Sequence, residues 1–250
     1  MKCILLAAGY ATRLLPLTAN KPKALLDVGP HKMIDYIIRA IDKVDLIDKI
    51  YIVTNARFAE QFRQWAPSAP TKKPIVILDD HTDSNENRLG AIGDLQYTIE
   101  QEHVEDDVFV LAADNLFEFD LNEMVNLFLE RNENIITVRR ILDETLLKRM
   151  GIVSVDENMR VTEFAEKPEH PKSNLSSPAL YIYRKADLPL VQKYLEEGNN
   201  PDAPGNLVPY MVEHSVVSAY EFKGIWYDIG THESLSEVSE KISSGEILLS

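Results

Sequence analysis

The chain has a single cysteine, Cys3, which excludes an internal disulfide and points to a reducing compartment. No apolar run approaches the ~20 residues that a membrane span requires, so no membrane partner is expected. The opening MKCILLAAGYATRLLP is apolar only briefly before it turns polar. It does not read as a signal peptide, and the expected location is the cytoplasm. Positive charge is also scarce: 26 Lys and Arg stand against 40 Asp and Glu, a net charge of −14. A chain without a broad basic face is not a nucleic-acid scaffold. It can still bind small phosphates where a few cations converge, or where carboxylates recruit a divalent cation. The six histidines show no metal-site spacing. Low-complexity linkers and internal repeats are absent, which favours a single domain over residues 1–250.

What is present suits a folded globular protein. Of 250 residues, 45% are hydrophobic and 26% charged, enough for a core without staples. Lys2 to Ala8 reads as a buried parallel strand running into a loop that carries Arg13, Lys21 and Lys23. The spacing of Ile34, Ile37, Ile38 and Ile41 predicts a helix over 33–44. Strands are expected at 49–54, 74–78 and 107–112, with helices at 58–65 and 89–102 between them. Alternation of this kind implies an α/β fold: a Rossmann-like mixed, mainly parallel sheet flanked by helices. Ligands in such sheets bind beyond the carboxyl ends of the strands, where Gly9 and Asp114 fall. The second half changes character. Strands are expected at 135–141, 151–155, 161–164, 179–183, 216–222 and 225–229, with helices at 186–197, 206–213 and 233–242. It reads as an extension of the sheet with a smaller lobe, giving a nucleotide half over about 1–115 and an acceptor half over about 116–235.

Three groups of residues carry chemistry. Small residues after the first strand let backbone at Leu6, Ala8 and Gly9 approach a phosphate or base closely. Arg13 offers a planar fork suited to a polyphosphate, and Lys23, fixed by Pro22, adds a second cation. Asp114 and Asp228 follow or end strands. Each could cap a helix, or supply hard oxygen to Mg2+. Glu166 and Lys167 could be a solvated pair before a proline turn. Equally, the carboxylate could accept from sugar hydroxyls while the ammonium holds an acceptor's phosphate. Gly151 would let a sugar ring lie on backbone.

These residues occur in an order that resembles the sugar-1-phosphate nucleotidyltransferases, the enzymes that make NDP-sugars. Leu6-Ala7-Ala8-Gly9-Tyr10-Ala11-Thr12-Arg13-Leu14 is similar to the family's Leu-Ala-Ala-Gly-x-Gly-Thr-Arg-Leu, with Ala11 for the usual glycine. Pro16-Leu17-Thr18 and Pro22-Lys23-Ala24-Leu25 follow. Ala113-Asp114-Asn115 resembles Gly-Asp-Asn, and Gly151-Ile152-Val153 with Glu166-Lys167-Pro168 resembles the sugar-phosphate segment. Trp226-Tyr227-Asp228-Ile229-Gly230-Thr231 resembles Trp-x-Asp-x-Gly-Thr. Asn85 to Gly93 occupies the place of the base-reading Gln and the Gly-Thr-Ala-Gly. Gly90 keeps the glycine spacing there, and Asn85 or Asn87 is placed to read a base edge.

The resemblance implies transfer of a nucleotidyl group from a nucleoside triphosphate, a pyrimidine one by preference, to a sugar 1-phosphate. Mg2+ would be held by Asp114 and Asp228. Arg13 and Lys23 would hold the departing pyrophosphate. Leu6, Ala8, Gly9, Asn85 and Gly90 would line the nucleotide, and Gly151, Glu166 and Lys167 the acceptor. The chain ends soon after Thr231, so no C-terminal β-helix is expected. A homo-oligomer is left open. Three other readings stand beside this one, of which a hydride-transferring Rossmann enzyme is disfavoured because no Gly-x-Gly-x-x-Gly opens a helix after the first strand. The first of the other two is a cytidylyltransferase for phosphocholine or another small alcohol phosphate, with Tyr181, Tyr183 and Trp226 available for an aromatic cage. The second is an inactive nucleotide-sugar-binding regulator, which would be expected to lack the residues retained here.

Overall fold

A computed structural model describes residues 1–247 and 249. In chain order the first half contains strands β1 (Lys2–Leu6), β2 (Asp27–Val28) and β3 (His31–Lys32), helix α1 (Met33–Asp42), β4 (Lys49–Thr54), α2 (Ala59–Trp65), β5 (Ile75–Asp79), α3 (Ala91–Gln101), β6 (Val108–Ala112) and β7 (Asn115–Phe117). It continues with α4 (Leu121–Arg131), β8 (Asn134–Arg140), α5 (Glu144–Leu147), β9 (Gly151–Val155), β10 (Val161–Glu166), β11 (Leu175–Ser176) and β12 (Leu180–Tyr183). Last come α6 (Pro189–Glu196), α7 (Leu207–His214), β13 (Val217–Glu221), β14 (Trp226–Asp228) and α8 (His232–Ser243). The chain divides into two compact units: residues 1–88, 111–121 and 224–250 form the first, and 89–110 with 122–223 the second.

In the first unit β1, β4 and β5 pair in parallel, with Leu6 opposite Val53 and Thr54 opposite Asp79. β1 and β4 are almost wholly apolar because both of their faces are covered. The Ala113 N–H donates to the Leu6 carbonyl at 3.0 Å, so the end of β6 lies beside β1. These strands finish at one margin, and Gly9 and Asp114 follow two of them there. Helix α1 buries Met33, Ile34, Ile37, Ile38 and Ile41. Its first turn is fixed by Asp35, which accepts from the Lys32 N–H at 3.0 Å and from the Trp65 indole at 2.9 Å. Two antiparallel ribbons complete the unit, β2 with β3 and β7 with β14.

In the second unit β8 pairs antiparallel with β11 and β12 and parallel with β13, and β9 pairs with β10 and β11. Its core holds Ile135, Ile136, Leu180, Ile182, Val191, Leu207, Val208 and Met211, all buried. A buried polar knot sits beside it. Asn134, Arg184 and Ser215 each donate to Asp187 Oδ2, at 2.9, 2.8 and 2.9 Å.

The α/β class expected from the sequence holds. The β1, β4 and β5 pairings of the first unit are parallel, while the second unit is mostly antiparallel, with β13 beside β8 as a parallel pair. Helix α4, strand β7 and the β2–β3 ribbon lie where no element was expected. The helix expected from residue 89 begins at Ala91, because Gly90 has φ 80° and cannot be its first turn.

Candidate active site

The loop after β1 is held from behind. Thr54 Oγ1 and Asn55 Nδ2 donate to the Ala7 and Ala8 carbonyls, at 3.3 and 2.8 Å. Thr18 Oγ1 donates to the Ala11 carbonyl at 3.0 Å, and His232 Nε2 lies 2.8 Å from the Leu15 carbonyl. Ala11 adopts φ 45°, ψ 45°, the left-handed conformation for which glycine is the usual residue. That turn starts the short 3-10 helix Thr12–Leu14 and presents Arg13. The Arg13 guanidinium is exposed and lies on the backbone of Gly230, where an added Cβ would be 3.3 Å from it. Lys21 is spent locally on Asp27 at 3.0 Å. That hydrogen bond, ahead of burial that opposes it, holds the Asp27 carboxyl below its ordinary range, with help from Lys32.

Lys23 crosses to Asp114, Nζ to Oδ2 at 2.8 Å, with its own side chain largely buried. The other carboxylate oxygen, Oδ1, accepts from Asn115 Nδ2 at 2.7 Å, and Asn115 Oδ1 accepts from the Trp226 indole at 2.6 Å. The β7–β14 register sets Asp228 opposite Asn115, and the Ile229 N–H donates to the Asp114 carbonyl at 3.1 Å. Asp228 and Trp226 therefore share one face of the ribbon with Asn115. Neither aspartate caps a helix: Thr231 caps α8, and β7 follows Asp114 directly. Each Asp114 oxygen holds one N–H donor and keeps a further lone pair, and Asp228 is exposed. All-oxygen donors of this kind fit a hard cation that completes its shell with water and phosphates. Among the described residues no group of three or more His, Cys, Asp or Glu could hold a metal. Asn55 was not singled out from the sequence, and Asn115 and Trp226 were read within their motifs without the hydrogen bonds that link them to Asp114.

At the mouth of β5, the Tyr10 hydroxyl lies 3.3 Å from Thr82 Oγ1. Asn87 is committed within its own loop, accepting from the Ser84 N–H at 3.1 Å and donating to Asp83 at 2.8 Å. Asn85 is exposed, and only its carbonyl is engaged, by Arg88 at 2.6 Å. Of the two candidate base readers, Asn85 is the one with a free amide. Gly90, in the second unit, has a packing reason to be glycine: a Cβ there would lie 2.6 Å from the Pro201 carbonyl oxygen.

The second unit assembles the acceptor candidates. Glu166 pairs in register with Gly151 at the β9–β10 end. Glu166 Oε1 lies 3.3 Å from Lys167 Nζ, and Lys167 itself has φ 49°. Its N–H donates to the Met150 carbonyl at 3.0 Å. Burial, and then the nearby Glu166 charge, push the Tyr181 phenol up, so it stays protonated. Tyr181 and Tyr183 are buried, so these two rings present no open face for an aromatic cage.

Comparison with known proteins places the chain in a family. The family model described as nucleotidyl transferase matches residues 2–245. A protein assigned as a mannose-1-phosphate guanyltransferase of Sulfolobus acidocaldarius is 30% identical over 232 residues, 92% of this chain and 60% of that one. A glucose-1-phosphate adenylyltransferase of Geobacillus stearothermophilus is 30% identical over 257 residues, 95% of this chain and 65% of that one. The chain thus spans less than two thirds of the length of these relatives. A UDP-glucose pyrophosphorylase solved with UDP-glucose shares the fold at a TM-score of 0.82 and 20% identity, with 98% of each chain covered. With the motif order, the fold and the matched span in agreement, this chain belongs to the nucleotidyl transferase family.

Proposed function

We propose that this chain transfers a nucleotidyl group from a nucleoside triphosphate to a sugar 1-phosphate, giving an NDP-sugar and pyrophosphate. One observation carries the reading: in a chain of net charge −14, Arg13, Lys23, Asp114 and Asp228 are gathered by the β1 loop and the β7–β14 ribbon. An acceptor phosphate oxygen forms the new bond to the α-phosphorus, and the bond to the β-phosphate bridging oxygen breaks. The nucleophile is already an anion, so no side chain need act as general base. Positioning and charge neutralisation do the catalytic work. Arg13 and Lys23 take up the charge that builds on the leaving pyrophosphate. Backbone at Leu6, Ala8 and Gly9 lies along the nucleotide, and Asn85 reads the base. Asn115, held by Trp226, keeps Asp114 oriented. Asp114 and Asp228 would hold Mg2+, which neutralises phosphate charge when bound. Glu166 and Gly151 bind the acceptor's sugar, and Lys167 its phosphate.

The activities for which the two relatives are named, guanylyl and adenylyl transfer to hexose 1-phosphates, support the reaction class. Both relatives are named for purine transfer, so the pyrimidine preference we propose rests on the motif resemblance alone. The buried Tyr181 and Tyr183 weigh for a sugar over a choline-like acceptor. The test is pyrophosphate release from each common triphosphate against a set of hexose 1-phosphates and phosphocholine. Turnover with a hexose 1-phosphate is expected. Turnover with phosphocholine alone, or with no acceptor, sinks the proposal.

A further inference from the structure

The acceptor side contains a glycine that the motifs do not account for. A Cβ built on Gly151 would lie 2.5 Å from Phe164 Cζ and 3.2 Å from Glu166 Oε2. A Cβ on Gly205 would lie 2.7 and 3.0 Å from the same two atoms. One ring edge and one carboxylate oxygen are thus touched by two distant chain segments, both within the second unit. Gly151 opens β9, while Gly205 sits in the 3-10 turn Pro204–Asn206 ahead of α7.

Backbone conformation does not explain Gly205, whose φ lies outside the left-handed region. Space does. Nor can the turn readily retreat. The Tyr194 hydroxyl and Asn206 Nδ2 both donate to the Asn200 carbonyl, at 2.7 and 3.3 Å. The Asp202 N–H donates to Asn200 Oδ1 at 2.9 Å, and the Asn206 N–H to the Ala203 carbonyl at 3.0 Å. A Cβ at position 205 must therefore displace the Phe164 ring, which in turn presses on Glu166, whereas its own 3.0 Å contact with Glu166 Oε2 needs only a slight adjustment.

We infer that Gly205 is a positioning residue for acceptor recognition: with Gly151 it holds the Glu166 carboxylate between two bare backbone walls. This rests on the reading that Glu166 binds the acceptor. With Oε2 held against the walls and Oε1 facing Lys167, the carboxylate has one orientation in which to meet acceptor hydroxyls. A misplacement on the order of 1 Å can cost up to about a hundredfold in such a site.

The test compares the wild-type enzyme, Gly205→Ala, Phe164→Leu and the double variant, each checked for folding by thermal melting. KM for the sugar 1-phosphate and for the triphosphate are measured separately. Gly205→Ala is expected to raise the acceptor KM by about tenfold or more, leaving the triphosphate KM within about twofold. Phe164→Leu removes the Cζ that a new methyl would strike. The double variant should therefore come within about threefold of Phe164→Leu alone. If Gly205→Ala does not fold, that last comparison decides. An unchanged acceptor KM, an equal rise in both constants, or a double variant well short of Phe164→Leu overturns the inference. Wild-type protein that turns over no hexose 1-phosphate overturns the parent reading instead, and this one with it.

Discussion

Arg13 makes no hydrogen bond or ion pair among the described residues, although acidic side chains outnumber basic ones throughout the chain. An exposed cation laid on Gly230 suits the pyrophosphate-binding role proposed for it. Arg13→Ala should leave the melting temperature unchanged and lower kcat about a hundredfold, the usual loss for one charge-stabilising donor. Lys23 differs, because it is already neutralised by Asp114. Trp226→Phe keeps the ring and removes the N–H that fixes Asn115. It should lower kcat about tenfold. A double variant with Asn115→Leu should do no worse than Asn115→Leu alone, because the two side chains act in series. Full additivity would separate them. Ala11 offers a test of strain. A left-handed alanine costs about 1–2 kcal/mol, and glycine removes that cost while loosening the unfolded chain. Ala11→Gly should therefore be neutral or stabilise by up to ~1 kcal/mol, read as a shift of the urea midpoint at constant m. A loss of ~1 kcal/mol would show that Ala11 is relaxed.

The ribbon β7–β14 carries the candidate aspartates, and the strand expected at 225–229 matches its β14 half while its β7 half was not expected. Asn115-Leu116-Phe117 is too short to show a period, so the segment after Asp114 offered no pattern to read. Only pairing with Trp226-Tyr227-Asp228 defines it, and pairing between segments more than a hundred residues apart leaves no local trace. Elements with strong local patterns were legible. β1 and β4 are nearly continuous apolar runs, and α1 repeats isoleucine on one face. Helix α4 was passed over although Leu121, Met124, Val125 and Phe128 form a helical stripe, all buried. The same division holds for the site. Gly9, Arg13, Lys23, Asp114, Asp228 and Glu166 sit in recognisable motifs. Asn115 and Trp226 sit in motifs too, but their hydrogen bonds, like the contacts of Asn55 and Gly205, form only on folding. Gly230→Ala is the test at this scale. Its methyl would press on the Arg13 guanidinium. The variant should lower kcat in the wild-type background and add little to Arg13→Ala.

Across the molecule, charge sets the response to acid. Burial would push the Asp187 carboxyl up, but Arg184, Ser215 and Asn134 outweigh it and hold it below its ordinary range. For Glu133, too, burial is outweighed by hydrogen bonds from Arg160 and Ser218. A carboxyl lowered by folding contributes stability that is fully present above its unfolded pKa of about 4 and is lost as pH falls through the folded value. Melting temperature should therefore fall below about pH 4, and Asp187→Asn should flatten that slope while lowering stability at neutral pH. A slope unchanged by the substitution would remove Asp187 from the account. Burial also pushes the Cys3 thiol up, so native protein should resist alkylation until it unfolds. No described helix is long and apolar enough to cross a membrane. The central claim is that a phosphate-binding loop and an aspartate ribbon serve nucleotidyl transfer. The most direct measurement follows a triphosphate labelled at the α-phosphorus, with Mg2+ and a hexose 1-phosphate. The account predicts that label appears in an NDP-sugar in step with pyrophosphate, and that Arg13→Ala slows both together. Release of the label as a free nucleotide, without a sugar product, would contradict it.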